Sequence, residues 1–445
     1  MIQEPQRDLG LGGALSIGIG GIVGGGIFAL LGIVVAETGG SAWVSYLVAG
    51  VVALLTAYSY SRLSITFPSS GGTVAFLNRG FAGGSLAGGL NSLLVLSYIV
   101  AMALYAATFA TYASTFLPAH LAARSQPFIG AGILVLIGLA NIRAPEALEK
   151  GEGLFNVIKL LVLGGFVVLG LSSRSLNLEA ATPAHWGTPL NIFVTAMTIF
   201  LSYEGFELIA NASHRVRQPE RNLPIAFFGS ILAAIVLYVC IVLVALGHLS
   251  VADIEAQKGQ AVSAVASTFM GPAGFTIMAL GAMVAAGSAI NADYFGSSKL
   301  VAMLAESGPL PWRKANTRFG NHPWGMLFLM GVGVLAVTML DLHALSSVSS
   351  AGFLMVFAAV NIANVRLGKE TRSRMFISEA GVITCLAALG ALVVQLAGRR
   401  AARHEAVIIV AMALLPLLYK PVDHLVRRIG VKLGLDIGHR HGTHE

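Results

Sequence analysis

The chain has 445 residues, of which 56% are hydrophobic and only 11% are charged, and its mean hydropathy is +0.79. A soluble globular chain carries about 25% charged residues, so these values exclude a water-soluble domain and leave most of the chain facing lipid or its own interior. The net charge of +7 reads as loop charge that sets topology, not as a nucleic-acid surface.

A bilayer-crossing helix needs about 20 mainly apolar residues. Such runs are expected near 10–36, 41–67, 81–117, 126–143, 152–172, 189–211, 222–248, 261–305, 323–340, 344–367, 375–397 and 403–420, twelve in all. The third and eighth exceed what a span needs, which implies tilt or extension into water. The breakers FPSSGGT, LPAH, RQPERNLP and SGPLPW punctuate the pattern. The short alternating segments of a membrane β-barrel are missing, so the expected class is an all-α polytopic membrane protein. Cys240 and Cys385 fall inside apolar runs as small buried hydrophobes, with no disulfide expected. The opening MIQEPQRDLG lacks the basic lead and apolar core of a signal peptide.

Loop charge orients such a chain, because basic residues favour the cytoplasmic side. With the N-terminus inside, most loop cations fall inside, among them Arg79, Arg143, Arg215, Arg217, Arg221, Arg313, Lys314, Arg318, Arg366 and Arg440. The outer loops then hold Arg124, Arg174, Lys258, Arg399, Arg400 and Arg403. The expected location is the cytoplasmic membrane, with both termini cytoplasmic. The three histidines of the final GHRHGTHE read as a tail, and no metal site is expected.

Residues 18–32, GIGGIVGGGIFALLG, raise the first functional question. Glycine costs a helix interior roughly 1 kcal/mol relative to alanine, yet this stretch leads the first span. A phosphate loop is excluded, since no GK[ST] follows and no strand precedes. Gly20/Gly24 and Gly21/Gly25 form small-xxx-small pairs that permit close helix packing. The other reading is a break at Gly24–Gly26, which bares backbone groups at mid-membrane. Such a break is tolerated only where protein covers it or a cavity is lined by it, and secondary transporters place a matching break in their other half. The sixth span has one: in TIFLSYEGFELIANAS, Ser202, Glu204, Gly205 and Glu207 interrupt the apolar run. A spacing of five spans fits two repeats, spans 1–5 and 6–10, with two spans appended.

GIVGGGIF resembles the first-helix signature of the amino acid–polyamine–organocation transporter superfamily. GGTVAFLNRGFAG, LSYEGFELIANAS, QPERNLPIA, NADYFGSSKLVAMLAESGPLP and VNIANVRL resemble that superfamily's patterns as well. The resemblance covers spans 1 through 10. It implies a LeuT-type fold, a 5+5 inverted repeat over 1–180 and 181–370, with the last two spans and a tail in 371–445. It also implies transport of amino acids or related amines, with alternating access as the expected mechanism; no cofactor is expected, and no obligate protein partner is expected because no Cys is placed for an external bridge.

In that arrangement the outer half of span 1 starts near Gly26 and points its free amides and positive dipole end into the cavity. A substrate carboxylate is expected on Gly24, Gly25, Gly26 and Ile27. The carbonyls of Ile22 and Val23, with those around Phe200 and Ser202, suit an ammonium group. The resemblance makes Phe200 or Leu201 a lid. Tyr98, Met102 and Asn291 are candidate walls, with ordinary packing as the competing reading for each.

Charges inside the membrane are scarce and informative. Lys159 sits in the middle of span 5. A structural ion pair is one reading. The resemblance offers another: some proton-coupled members carry a Lys here where sodium-coupled relatives hold a cation. Lys159 would then donate to carbonyls near Gly20 and Gly21 and to Ser288, and would load and release the coupling proton. Glu207 fits an acidic position that organises the network after the break. Glu204 falls where many relatives have an apolar pocket residue, and stands as a partner of Lys159, a proton site or the counter-ion of a cationic substrate. No role is assigned to Asp293 or Lys299, and Arg62 reads as an interface anchor. The competing functions are an obligate exchanger, a cationic amino acid or polyamine carrier, and a non-transporting substrate sensor. A channel and an intramembrane enzyme lack their motifs, H-E-x-x-H included.

Overall fold

The computed structural model describes residues 7–307 and 323–432. In chain order the helices are α1 (Leu11–Ile22), α2 (Gly26–Thr38), α3 (Ala42–Thr66), α4 (Thr73–Gly80), α5 (Ser85–Ala113) and α6 (Ala119–Arg143). Next come α7 (Pro145–Leu171), α8 (Pro189–Thr198), α9 (Leu208–Asn211), α10 (Pro219–His248), α11 (Val251–Gln257) and α12 (Ala261–Ser307). The chain continues with α13 (Pro323–Met339), α14 (Leu342–Arg366), α15 (Gly368–Thr371), α16 (Met375–Gly398) and α17 (Arg403–Lys432). Among the described residues the β pairing consists of two isolated bridges, Leu9 with Val216 and Gly39 with Trp186.

Nine described helices are long and apolar enough to cross a bilayer, or eleven when each of two bent pairs is taken as one span. The expected ninth span corresponds to α13, whose apolar part, Gly325–Met339, is shorter than that measure. Arg313, Lys314, Arg318, Arg440, the SGPLPW breaker and the histidine tail lie outside the described residues, as does the side chain of Lys299.

Several boundaries differ from the sequence expectation for identifiable reasons. The run 10–36 is two helices, α1 and α2, bent by 47°. The run 189–211 is α8, a 3-10 turn at Phe200–Tyr203 and α9, bent by 57°. α7 begins seven residues before 152 because Pro145 occupies its first turn, where a missing N–H costs nothing. Pro219 starts α10 in the same way, after Gln218 in a left-handed conformation. α6 starts at Ala119 and carries Pro127 within it. α12 runs through Gly271, where φ is +67° and the axis kinks, and α17 continues past 420 to Lys432. The short helices α4 and α11 fall in stretches that hydropathy alone assigns to loops.

Burial separates the centre from the perimeter. In α5 and α14, 83% of the apolar window is buried, against 22% in α6 and 28% in both Gly151–Leu171 and α16. The perimeter helices expose large apolar side chains, such as Leu136, Leu161, Ile383 and Val394. These would be costly in water and are favourable against lipid tails. Cys385 is buried beside Thr56, and both cysteines are free. Arg62 is tied to protein rather than left at an interface: it donates to the carbonyls of Thr371 and Arg372.

Candidate functional site

α1 ends where the helical bonding pattern stops after Val23. Val23 N–H donates to Ile19 O at 2.9 Å, and Gly24 N–H donates to Ile22 O at 2.8 Å, a tight turn rather than a helical bond. α2 then restarts at Gly26 with no side chain capping its N-terminus. The first-turn amides of a helix have no acceptor within it, so Gly26 and Ile27 present N–H groups at the break. A side chain would be tightly packed here: a Cβ on Gly25 would lie 3.0 Å from Tyr105 Cδ1 and 3.3 Å from Ala286 Cα. One on Gly26 would lie 3.1 Å from both Cα and Oγ of Ser202.

The second break is built differently. Phe200–Tyr203 forms the 3-10 turn, Glu204 is extended, and Gly205 adopts φ +111°. Gly205 N–H donates to Glu207 Oε2 at 2.8 Å, so the carboxylate two residues on holds the unwound segment. The carbonyl of Thr198, left free by the end of α8, accepts from Ser346 at 2.7 Å and Ser350 at 2.8 Å. Ser350 also accepts from Leu201 N–H at 3.0 Å. Hydroxyls of α14 thereby take up backbone groups that water cannot reach, as a break at membrane depth demands.

The two breaks meet. A Cβ on Gly21 would sit 2.6 Å from Gly205 O, and a Cβ on Gly205 would sit 2.4 Å from the Gly21 carbonyl carbon. Tyr238 of α10 bridges them, its hydroxyl lying 2.8 Å from Ile22 O and 3.0 Å from Ser202 O. In this conformation two of the carbonyls expected for an ammonium group, those of Ile22 and Ser202, are therefore engaged by a phenol. Phe200 packs edge-on against Phe357, with ring centroids 5.8 Å apart. Val23, Leu201 and Met102 are fully buried.

Lys159 is 1% exposed. Its Nζ donates to Gly20 O at 2.5 Å and to Ser288 Oγ at 3.2 Å, two of the three partners named from the sequence, the third being Gly21. Its acidic neighbour is Glu152, one of whose oxygens accepts from Ser288 Oγ. Glu204 is elsewhere: its Oε2 accepts from Tyr105 OH at 3.0 Å. Glu152 escaped the sequence reading, although it precedes Lys159 by seven residues, two helical turns along the same face. Asn291 belongs to this network and not to the break itself. It donates to Glu152 Oε2 at 3.1 Å and accepts from Asn141 at 2.9 Å.

A second polar cluster gathers around the acidic residues of the sixth-span break. Glu207 Oε1 accepts from Tyr98 OH at 3.2 Å. The carboxyl groups of Glu204, Glu207 and Asp293 are close enough to influence one another electrostatically. All three are buried, and one oxygen each of Glu204 and Asp293 has no partner. Asp293 was given no role from the sequence, and Tyr105 was not singled out. Tyr105 was findable, since Tyr98, Met102 and Tyr105 follow the i, i+4, i+7 spacing of one helix face.

Cavities open on both sides of the breaks. On the side of the N-terminus, one of about 600 Å³ is lined by Ser16, Gly20, Glu152, Asn156, His214 and Asn291 among others. On the far side, one of about 950 Å³ is lined by Ala29, Gly32, Gln126, Lys258 and His343 among others. No group of His, Cys, Asp and Glu among the described residues is arranged to hold a metal ion.

The sequence profile described as amino acid permease matches residues 9–416. The inner membrane transport protein YbaT of Escherichia coli strain K12 is 31% identical over 385 residues, covering 86% of this chain and 88% of that protein. The methylthioribose transporter of Bacillus subtilis strain 168 is 25% identical over 378 residues, covering 80% and 79%. The chloroplastic cationic amino acid transporter 9 of Arabidopsis thaliana is 28% identical over 324 residues, covering 68% of this chain and 56% of its own. With a profile match along nearly its whole length and two broken spans meeting at its centre, this membrane chain belongs to the amino acid permease family of the amino acid–polyamine–organocation superfamily.

Proposed function

We propose that the protein carries amino acids or related amines across the cytoplasmic membrane by alternating access, and that Lys159 couples this movement to protons. The observation that carries the reading is the meeting of two bent spans around uncapped α2 amides, with an ammonium seated on the first break. The amides of Gly26 and Ile27 suit a carboxylate. Carbonyls of Ile22 and Ser202, now engaged by Tyr238, suit the α-amino group once that phenol moves aside. Cavities on opposite sides of this point support alternating access between them. Bends five spans apart support two inverted repeats, 1–180 and 181–370, followed by 371–445. The side of the N-terminus is taken as cytoplasmic on the loop charges. Lys159 stands where a bound cation would otherwise join span 1 carbonyls to the span 8 hydroxyl of Ser288.

Uptake into proteoliposomes under imposed pH or sodium gradients tests this. Acceleration by an acid exterior, indifference to sodium, and loss of the acceleration in Lys159→Ala are expected. Stimulation by sodium alone overturns the coupling, and a binding signal without flux or counterflow overturns transport.

One observation favours a second reading of the substrate. Glu204 Oε1 is buried without a partner, as the counter-ion of a cationic side chain would be. Competition of uptake by arginine, lysine and simple amines, abolished in Glu204→Gln, is the expected result. Competition by neutral amino acids alone rejects it.

A further inference from the structure

The Lys159 ammonium is sealed from water, yet a group that loads and releases a proton needs a route to it. The structure contains a continuous one on the side of the N-terminus. Lys159 Nζ donates to Ser288 Oγ at 3.2 Å, and Ser288 Oγ donates to Glu152 Oε1. Asn291 Nδ2 fixes the second carboxylate oxygen at 3.1 Å, and is itself held by Asn141 at 2.9 Å. Glu152, Asn291 and Asn141 all line the cavity of about 600 Å³, so the chain begins at a buried amine and ends at a wall. The other charged or titratable groups in that wall are His214 and Arg215, and Arg215 is paired with Asp8 at 2.6 Å.

We propose that Glu152 is the group through which Lys159 exchanges its proton with the cavity on the side of the N-terminus. This rests on the reading of Lys159 as the coupling residue. In the outgoing step one Nζ–H bond of the ammonium breaks as its proton passes to Ser288 Oγ. The proton already on Ser288 passes to Glu152 Oε1. An ammonium and a carboxylate become an amine and a carboxylic acid, with no net change of charge. Glu152 then gives the proton to water in the cavity and becomes a carboxylate again. Loading from this side reverses each step. The hydroxyl fits the middle position because it donates and accepts at once. Asn291 holds the carboxylate by an N–H that does not enter the exchange.

The test compares wild type, Glu152→Gln, Glu152→Asp and Lys159→Ala in proteoliposomes, with a radiolabelled mixture of protein amino acids and putrescine as probe. Two rates are read: uptake driven by an acid exterior, and counterflow against the same unlabelled mixture. Glu152→Gln is expected to lose gradient-driven uptake by about tenfold or more while counterflow stays within about threefold, and Glu152→Asp to regain most of the driven rate. A Gln variant whose driven rate stays within about twofold of wild type overturns the proposal. Equal loss of both rates, unrescued by Asp, makes Glu152 a structural residue and also overturns it. Failure of the underlying reading is separately visible. A wild type indifferent to the pH gradient, or a Lys159→Ala variant that keeps its response, removes Lys159 and the relay with it.

Discussion

Gly21 and Gly205 touch backbone to backbone, and neither has room for a single additional carbon. This contact fixes the two broken spans to each other on the side of the N-terminus, just below the uncapped start of α2. Gly205 also adopts φ +111°, a conformation that costs other residues of order 1–3 kcal/mol. Gly205→Val is therefore expected to lower stability by at least about 1–3 kcal/mol and to abolish uptake, as read by thermal unfolding in detergent and by proteoliposome transport. Wild-type thermal stability in this variant would show that the contact is dispensable.

The glycines of the first break divide by what surrounds them. A Cβ on Gly25 meets Tyr105 and Ala286 at the break, whereas one on Gly18 meets Ser230 Oγ at 2.3 Å and Ile209 Cδ1 at 2.6 Å between α1 and its neighbours. Gly25→Val is expected to remain folded and lose the thermal shift produced by a panel of amino acids and amines, because ligand stabilisation follows occupancy. Gly18→Val is expected chiefly to lose stability, by about 1–3 kcal/mol, as overpacked interiors do. Equal behaviour of the two variants in both measurements would contradict the division.

At the far side, Glu37 near the end of α2 gathers three elements. It accepts from Thr195 of α8 at 2.8 Å and from Arg399 at 2.6 Å, and it lies 3.4 Å from His343 Nε2 of α14. His343 Nδ1 faces Glu405 of α17 at 3.3 Å. Glu37→Gln keeps the shape and removes the charge, and is expected to cost about 1–3 kcal/mol through partners left poorly matched. Arg399 is 45% exposed, so Arg399→Ala is expected to cost about 1 kcal/mol or less. Chemical or thermal unfolding of both variants gives the comparison, and a larger effect at Arg399 would place the strength of the cluster at the surface.

The pair at the other side predicts an absence of pH response. Arg215 donates to Asp8 and holds its exposed carboxyl at about 2, below the ordinary 3.8. A carboxyl lowered on folding stabilises the fold above its ordinary value and loses that contribution as pH falls from there toward the folded value. Between about pH 5 and 8 Asp8 stays charged. Asp8→Asn is expected to leave the shape of the transport profile across that range unchanged, whatever it does to the rate. A displaced midpoint there would make Asp8 a participant in coupling.

Much of this site was legible because membrane sequences are strongly constrained. A dry, low-dielectric interior tolerates few charges and few breaks, so Lys159, Glu204 and Glu207 and the glycines at 24–26 stood out against an apolar background. The bend in each of two spans five apart followed from the same contrast, as did the partners of Lys159 once the family resemblance was on hand. Glu152 did not stand out, because a carboxylate near a span end reads as a solvated one. Asn291 was a candidate wall of the substrate site, and its bond to Glu152 was not foreseen, since helix phase alone does not say which neighbour a polar side chain will reach. Tyr238 gave no signal at all among the apolar residues of α10.

The sequence by itself determined the helical class and the location of the breaks, because desolvating backbone and charge is costly wherever the chain later folds. Which groups satisfy that cost was decided only in three dimensions. Tyr238 on Ile22 and Ser202, Ser288 between Lys159 and Glu152, and Tyr105 on Glu204 are contacts between spans distant in the chain. Their distances depend on how α1, α7, α10 and α12 pack, and close packing is a property of the assembled bundle rather than of any one of its helices.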